Sequence, residues 1–272
     1  MTLAAHSLAF LGWAGRYLWS AWAGAAGLFC LAAAWQAGHE IYGSFVLPSP
    51  LETAQAVAAI AGEPQFIEAA ETTALRSLAG FALAVGIGTT AGAIAGYSFA
   101  AMRLTRPIVT VILGVPPIAW IVLAMIWFGS TDGTVILTIL VSAGPLVFVG
   151  VAEGVMTRDR GLDDMARAFG AGPIRRLTTL GLRHVAAHLF PALVVALGMG
   201  FKVAVMAELL ANVGGIGGEL ARSRANLDVA GALAWVTIAV AALIVVEYGI
   251  VHPVRSEFER WRAAARPWGV KR

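Results

Sequence analysis

Few side chains in this 272-residue chain could do chemistry, and several of those stand in stretches too apolar for water. Lys202 sits in the middle of the apolar run 189–210, which ends near Glu208. A charge in mid-membrane costs roughly 2.5–3.5 kcal/mol on insertion scales, so it faces protein or water. A lysine placed there either attracts an anionic solute or belongs to an internal ion pair. Glu208 is the nearest acid in sequence, yet six residues put the two side chains about 120° apart on a helix. Such a pair would need a neighbouring helix or subunit. Pro116 and Pro117, followed by Trp120, interrupt a second apolar run. Two missing backbone donors are tolerated in lipid only where protein or a water-filled cavity satisfies the freed carbonyls. Pro116, Pro117 and Trp120 are therefore candidates for lining a passage, against the plainer reading of a packing kink.

Other chemistries lack their parts. His184 and His188 are four apart, on one face of a predicted helix, but two imidazoles without a third ligand make a poor metal site. A solvated or interfacial role fits them better. A phosphate-cradling loop ends in Gly-Lys-Ser/Thr, and the two lysines, Lys202 and Lys271, follow Phe201 and Val270. The chain therefore cannot carry that motif. The glycine-rich segment 213–218 lacks the lysine and reads as a flexible loop outside the membrane. No catalytic triad or metal cluster stands out, and nothing points to nucleic acid. Cys30, the one cysteine, lies in an apolar run and reads as a small hydrophobe rather than half of a disulfide.

The elements that must position these residues follow from composition. The chain is 59% hydrophobic and 13% charged, with mean hydropathy +0.78, against roughly 25% charge in soluble domains. It reads as a single membrane domain, 1–272, without internal repeat or low-complexity linker. Six helical spans are expected: 17–37, then a core of five across 73–252, at about 73–100, 108–128, 134–152, 189–210 and 230–251. The first run exceeds the roughly 7–15 apolar residues of a signal peptide, so it reads as a span. Between it and the core, residues 38–71 are acidic, broken by Pro48 and Pro50, with a short amphipathic helix over 51–61. Gly80, Gly86, Gly88, Gly92 and Gly96 predict close helix packing, and Gly144-Pro145 a further kink.

An even number of spans puts both termini on one side. That side receives Arg16, Arg103, Arg106, the six arginines from Arg158 to Arg183 and the six basic residues from Arg255 onward, 15 of 19 in all. Arg76, Lys202, Arg222 and Arg224 remain. The excess assigns both termini and the 161–188 loop to the cytoplasm.

That loop is a basic, helix-forming island. Leu162, Met165, Ala166 and Phe169 recur at helical spacing as one apolar stripe. Asp163 stands near the front of the helix, where the dipole favours an acid. Gly170-Ala171-Gly172-Pro173 ends it, and Pro173 can open a second helix. Too polar to cross a bilayer, the stripe must meet something at the water side. A groove on another protein would take Met165 and Phe169 as anchors; an anionic lipid surface would use Arg167, Arg175 and Arg176.

The island resembles the cytoplasmic EAA loop of permease subunits of bacterial ABC importers, which reads Glu-Ala-Ala, three residues, Gly, nine residues, Ile-x-Leu-Pro. Asp164, Met165 and Ala166 stand at the triplet, Gly170 at the glycine, and Leu180 and Leu182 at the apolar positions. Asp164, Met165 and Arg183 depart from Glu, Ala and Pro. FVLPSPLET (45–53), LRSLAGFALAVGIG (75–88), VPPIAWIVLAMIWFG (115–129) and VMAELLANVGGIG (205–217) resemble the nitrate/sulfonate/taurine branch, in the same order.

The resemblance implies an all-α type I importer permease of the bacterial inner membrane, with Leu162, Asp164, Met165, Ala166, Phe169 and Gly170 docking an ATPase. It implies two cytoplasmic ATPase subunits that carry ATP and Mg, so this chain is no enzyme and holds no cofactor. It further implies a second permease copy, most simply a homodimer, an extracytoplasmic solute-binding protein, and alternating access. By the same resemblance 38–71 is periplasmic, Arg76 lies near the outer interface, and Glu208 matches a glutamate of relatives with a structural or gating role. Lys202 has no general counterpart there and points to a small anion. Relatives that carry pyrimidine precursors of thiamine keep a second solute class open. An ion-driven secondary transporter would show inverted repeats and paired intramembrane charges. A non-transporting scaffold leaves the proline kinks and Lys202 without a use.

Overall fold

The computed structural model describes residues 3–251, and every element in that range is helical. The basic tail from Arg255 onward lies outside the described residues, as does the side chain of Arg16. Helix α1 (Leu3–Tyr42) contains the 17–37 segment expected as the first span. Its end is tied to the next turn, where Trp35 Nε1 donates to the Pro48 carbonyl at 2.8 Å and His39 Nδ1 meets the Leu47 carbonyl at 2.8 Å. Helix α2 (Pro50–Ala61) starts at a capping box. The Ser49 hydroxyl accepts from the Glu52 N–H, and the Glu52 carboxylate accepts from the Ser49 N–H.

Helix α3 (Pro64–Tyr97) begins nearer to residue 64 than to the expected 73. It lies along α6 (Asp132–Met156) over most of its length, and the glycines explain how. A Cβ on Gly88 would stand 2.8 Å from the Gly144 carbonyl oxygen, and one on Gly92 would stand 2.6 Å from that of Phe148. Gly80 meets Ile139 and Gly96 meets Val155 in the same way, so the two helices run parallel. Helix α9 (Leu182–Ala211) covers the opposite face of α6 in the antiparallel sense, with Gly150 against Ala192 and Gly154 against Val185. Small residues at each contact let backbones close in without a hydrophobic drive from lipid. Helix α6 is consequently the buried centre of the bundle.

The run expected as one kinked span is two helices. Helix α4 (Phe99–Gly114) and α5 (Pro117–Phe128) meet at 97°. Val115 and Pro116 are extended, and Pro116 and Pro117 sit at the cap and first position of α5, where missing N–H groups cost nothing. The prolines therefore start a helix rather than bend one. Arg103 and Arg106, expected to close the preceding span, lie inside α4. Helix α5 returns alongside α6, and Thr134 Oγ1 donates to the Ala124 carbonyl at 3.3 Å.

The island comprises α7 (Arg160–Ala168), α8 (Pro173–Arg176) and a π-helical turn, Leu177–Gly181, that runs into α9. After Asn212, in the left-handed region at φ 51°, come α10 (Ile216–Ala225) and α11 (Val229–Val246). Phe201, Ile216, Trp235 and Ile238 join these helices to Ala69 of α3 in one cluster. Among the described residues four segments are long and apolar enough to cross a bilayer, and five if α4 and α5 count together.

Parallel α3 and α6 give the bundle two distinct ends. The island end holds Arg103, Arg106 and the arginines from Arg158 to Arg183. The other holds Arg76, Asp132, Glu208, Glu219, Arg222 and Arg224.

Candidate functional site

The island presents its stripe outward. Asp159 caps α7, its Oδ1 accepting from the N–H groups of Gly161 at 2.8 Å and Leu162 at 3.2 Å. Arg176 pairs with Asp163 at 3.1 Å and holds α8 to α7. The far end closes as a Schellman motif: the Gly170 N–H donates to the Arg167 carbonyl and the Ala171 N–H to that of Ala166. Gly170 has φ +77°, a conformation in which a Cβ is strained. With both ends fixed, Leu162 is 46% exposed, Met165 53% and Phe169 84%. Asp164 is exposed as well, and Ala166 is half-buried against the loop. Among the described residues nothing covers this apolar face, and a patch of that kind marks a candidate contact surface.

His184 and His188 lie at the root of this island. Their ring centroids are 5.2 Å apart, and both Nε2 atoms approach Thr157 Oγ1, at 3.2 and 3.5 Å. They join the end of α6 to the start of α9. Among the described residues no group of three histidine, cysteine or acidic side chains is placed to hold a metal.

At the opposite end, Glu208 and Lys202 part company. Glu208 is fully buried and pairs with Arg76 of α3, Nη1 to Oε1, at 3.0 Å. Its Oε2 accepts from Thr73 Oγ1 at 2.8 Å and from the Gly217 N–H at 3.1 Å. Thr73 Oγ1 accepts in turn from the Ile216 N–H at 2.8 Å. Arg76 also pairs with Asp132 of α6 at 2.7 Å and donates to the Gly214 carbonyl. One guanidinium thereby ties α3, α6, α9 and the glycine segment together.

That segment is not the flexible loop its composition predicts. Gly215 has φ +107°, and a Cβ there would sit 2.5 Å from Glu208 Oε1. Any side chain at Gly217 would run into the Val205 carbonyl and the Glu208 side chain. The glycines let this segment close on Glu208, so that the Gly217 N–H reaches the buried carboxylate and the Ile216 N–H reaches Thr73. Sequence reasoning singled out Glu208 but missed Thr73 and Asp132. The available signal was charge balance: Arg76 stands early in one apolar run as Glu208 stands late in another.

Lys202 is exposed on α9, on the stripe that also presents Val195, Met206 and Leu210. It makes no ion pair among the described residues. Its neighbour Val203 packs against Ile121 of α5, beside Trp120. Trp120 is half-buried, and its Nε1 has no hydrogen-bond partner among the described residues. Pro116 and Pro117 lie at the break just before it. The structure thus packs α5 on α9 through Ile121 and Val203, places Lys202 on the exposed face of α9, and leaves the buried Glu208 out of that face.

The comparisons with known proteins agree with this architecture. The family model described as the binding-protein-dependent transport system inner membrane component matches residues 85–252. A Brucella melitensis protein assigned as an ABC transporter permease is 27% identical over 190 residues, 68% of this chain and 76% of that one. The taurine transport system permease TauC of Escherichia coli is 26% identical over 183 residues, 65% of this chain and 66% of its own length. Among solved structures, a chain of the MetNI methionine ABC transporter in inward-facing conformations superposes with a TM-score of 0.56 at 18% identity. The match covers 74% of this chain and 97% of that one.

Proposed function

Since the chain belongs to the family of binding-protein-dependent transport system inner membrane components, we propose that it is the permease subunit of an ATP-driven importer for a small organic or inorganic anion. The observation that carries this reading is the island, a capped helix whose Leu162, Met165 and Phe169 stand bare at the arginine-rich end. A cytoplasmic ATPase dimer would bind one such helix from each of two permease copies. ATP-driven closure of the ATPases would pull the islands together and switch the passage from outward to inward access. A solute-binding protein would deliver the anion at the Arg76–Asp132 end. ATP and Mg belong to the partner, and this chain contributes shape and charge rather than catalysis.

The anion class rests on Lys202. It is a cation in mid-span on a face left open by the described residues, and a passage between two copies would put water there. Resemblance to the nitrate/sulfonate/taurine branch, with the taurine permease among its relatives, supports the same class.

The test is affinity purification of the tagged chain from its native host in mild detergent, with mass spectrometry of what accompanies it. The wild-type chain is expected to bring a stoichiometric ATPase. Phe169→Asp should lose that subunit while the chain stays in the membrane and elutes at the same size as a folded permease. An unchanged ATPase yield from Phe169→Asp removes the docking role of α7. Absence of any ATPase from the wild type removes the importer reading altogether.

A further inference from the structure

We propose that the groove between α3, α4 and α6 is a binding site for an anionic phospholipid of the island-side leaflet, its acyl chain in the groove and its phosphate at Arg106 and Arg103. The groove holds a cavity of about 270 Å³ walled by Ile87 and Ala91 of α3, Ile108 and Ile112 of α4, and Leu140 and Phe148 of α6. Almost none of its surface is polar, so it suits neither water nor a small charged solute. Gly144 and Pro145 of α6 line it and supply no bulk to fill it.

A second cavity of about 330 Å³ adjoins the first, with Val109 and Phe148 as walls of both, and Arg106 lines it. Arg103 lies one turn earlier on α4, its guanidinium 4.6 Å above the Phe99 ring. Glu153 of α6 lines the same second cavity, but no ion pair joins it to Arg106 among the described residues. Arg106 in the cavity wall and Arg103 one turn away on α4, against the single carboxylate of Glu153, make this end cationic. An apolar slot that ends in a cationic mouth at the arginine-rich end matches the two parts of an anionic lipid.

The depth fits as well. From Arg106 to Ile112 is roughly 9 Å along the helix axis, within the roughly 15 Å of hydrocarbon in one leaflet. An acyl chain laid there wedges α4 away from α6 just before the Gly114–Pro117 break.

The experiment is native mass spectrometry of the full chain purified from vesicles of equal phosphatidylglycerol and phosphatidylcholine. About one phosphatidylglycerol per chain is expected to survive desolvation, with phosphatidylcholine retained at least fivefold less. The double variant Arg103→Gln/Arg106→Gln should lower phosphatidylglycerol retention at least fivefold and bring it level with phosphatidylcholine. Ala91→Leu, which fills the cavity and keeps helix propensity, should lower retention of both lipids without lowering the melting temperature. Equal retention of the two lipids by the wild type overturns the headgroup site. Unchanged retention in Ala91→Leu overturns the acyl-chain site. A disulfide formed between two copies through Ile112→Cys also overturns it, because a second copy then fills the groove.

Discussion

Glu208 shows how a single carboxylate can be both the most expensive residue in a span and a fixed point of the fold. Fully desolvated, it is stable only because Arg76, Thr73 and the Gly217 N–H supply three donors in good geometry. Glu208→Ala would leave Arg76, itself largely buried, with Asp132 and the Gly214 carbonyl alone. We expect a loss of about 3 kcal/mol, the usual cost of removing one partner of a buried pair. It would be read as a lower thermal midpoint in detergent. Glu208→Gln keeps the shape and should lose less. The double variant Arg76→Gln/Glu208→Gln should lose less than the sum of the two single changes. Strict additivity would mean that the ion pair contributes nothing of its own. The sequence announced that Glu208 needed a partner but not which one, because Arg76 lies 132 residues upstream. Local spacing offered Lys202, and α9 turns the two side chains to different surfaces. Asp132, in a short turn next to a span, carried no signal until α3 and α6 were laid side by side.

Helices in this bundle are selected more by what they omit than by what they carry. The α3 stripe of Gly80, Gly88, Gly92 and Gly96 faces α6, whereas Gly86 has open space beside it. Gly92→Val should therefore cost upwards of about 2 kcal/mol by forcing α3 from α6. Gly86→Val should leave the melting temperature within a degree or two. Equal effects at both sites would mean that intrinsic helix propensity, not the α3–α6 approach, governs stability. At α2, the Ser49 N–H holds the Glu52 carboxyl below the ordinary carboxylate range. A folded value below the unfolded one, about 4.3, gives stability that is full above that unfolded value and fades as pH falls through the folded one. Amides at the start of α2 should lose protection on acidification below about pH 4, after correction for intrinsic exchange, and Glu52→Gln should abolish that pH dependence. Hydropathy made the long spans and the island legible, since periodicity and length encode them directly. It did not make the α4–α5 break legible, because consecutive prolines signal a discontinuity without its angle. That angle comes from α5 packing on α6 and α9. Nor could composition tell a loose glycine loop from glycines packed around Glu208.

For the molecule as a whole, the two ends divide their charges as a transporter's two sides would. Arginines gather at the island, while at the other end Arg76 and Arg222 are paired with acids. Between the ends, Lys202 lies on an apolar face left open by the described residues, and under the proposed function an anion passing between two copies would meet it. If that charge serves the solute, its sign matters more than its shape. Uptake into vesicles holding the complete importer should then be nearly unchanged in Lys202→Arg. It should fall about tenfold in Lys202→Gln, equivalent to about 1.4 kcal/mol of lost stabilisation, and further in Lys202→Glu. All three variants should still recruit the ATPase, because the island is far along α9 from residue 202. A charge that instead reaches for lipid phosphates gives a different pattern. Lys202→Gln would then insert at least as well as the wild type, and uptake would follow the amount of assembled complex rather than the sign of the side chain. Uptake per assembled complex separates the two roles, and a Lys202→Glu variant as active as wild type would remove the anion from the proposed function.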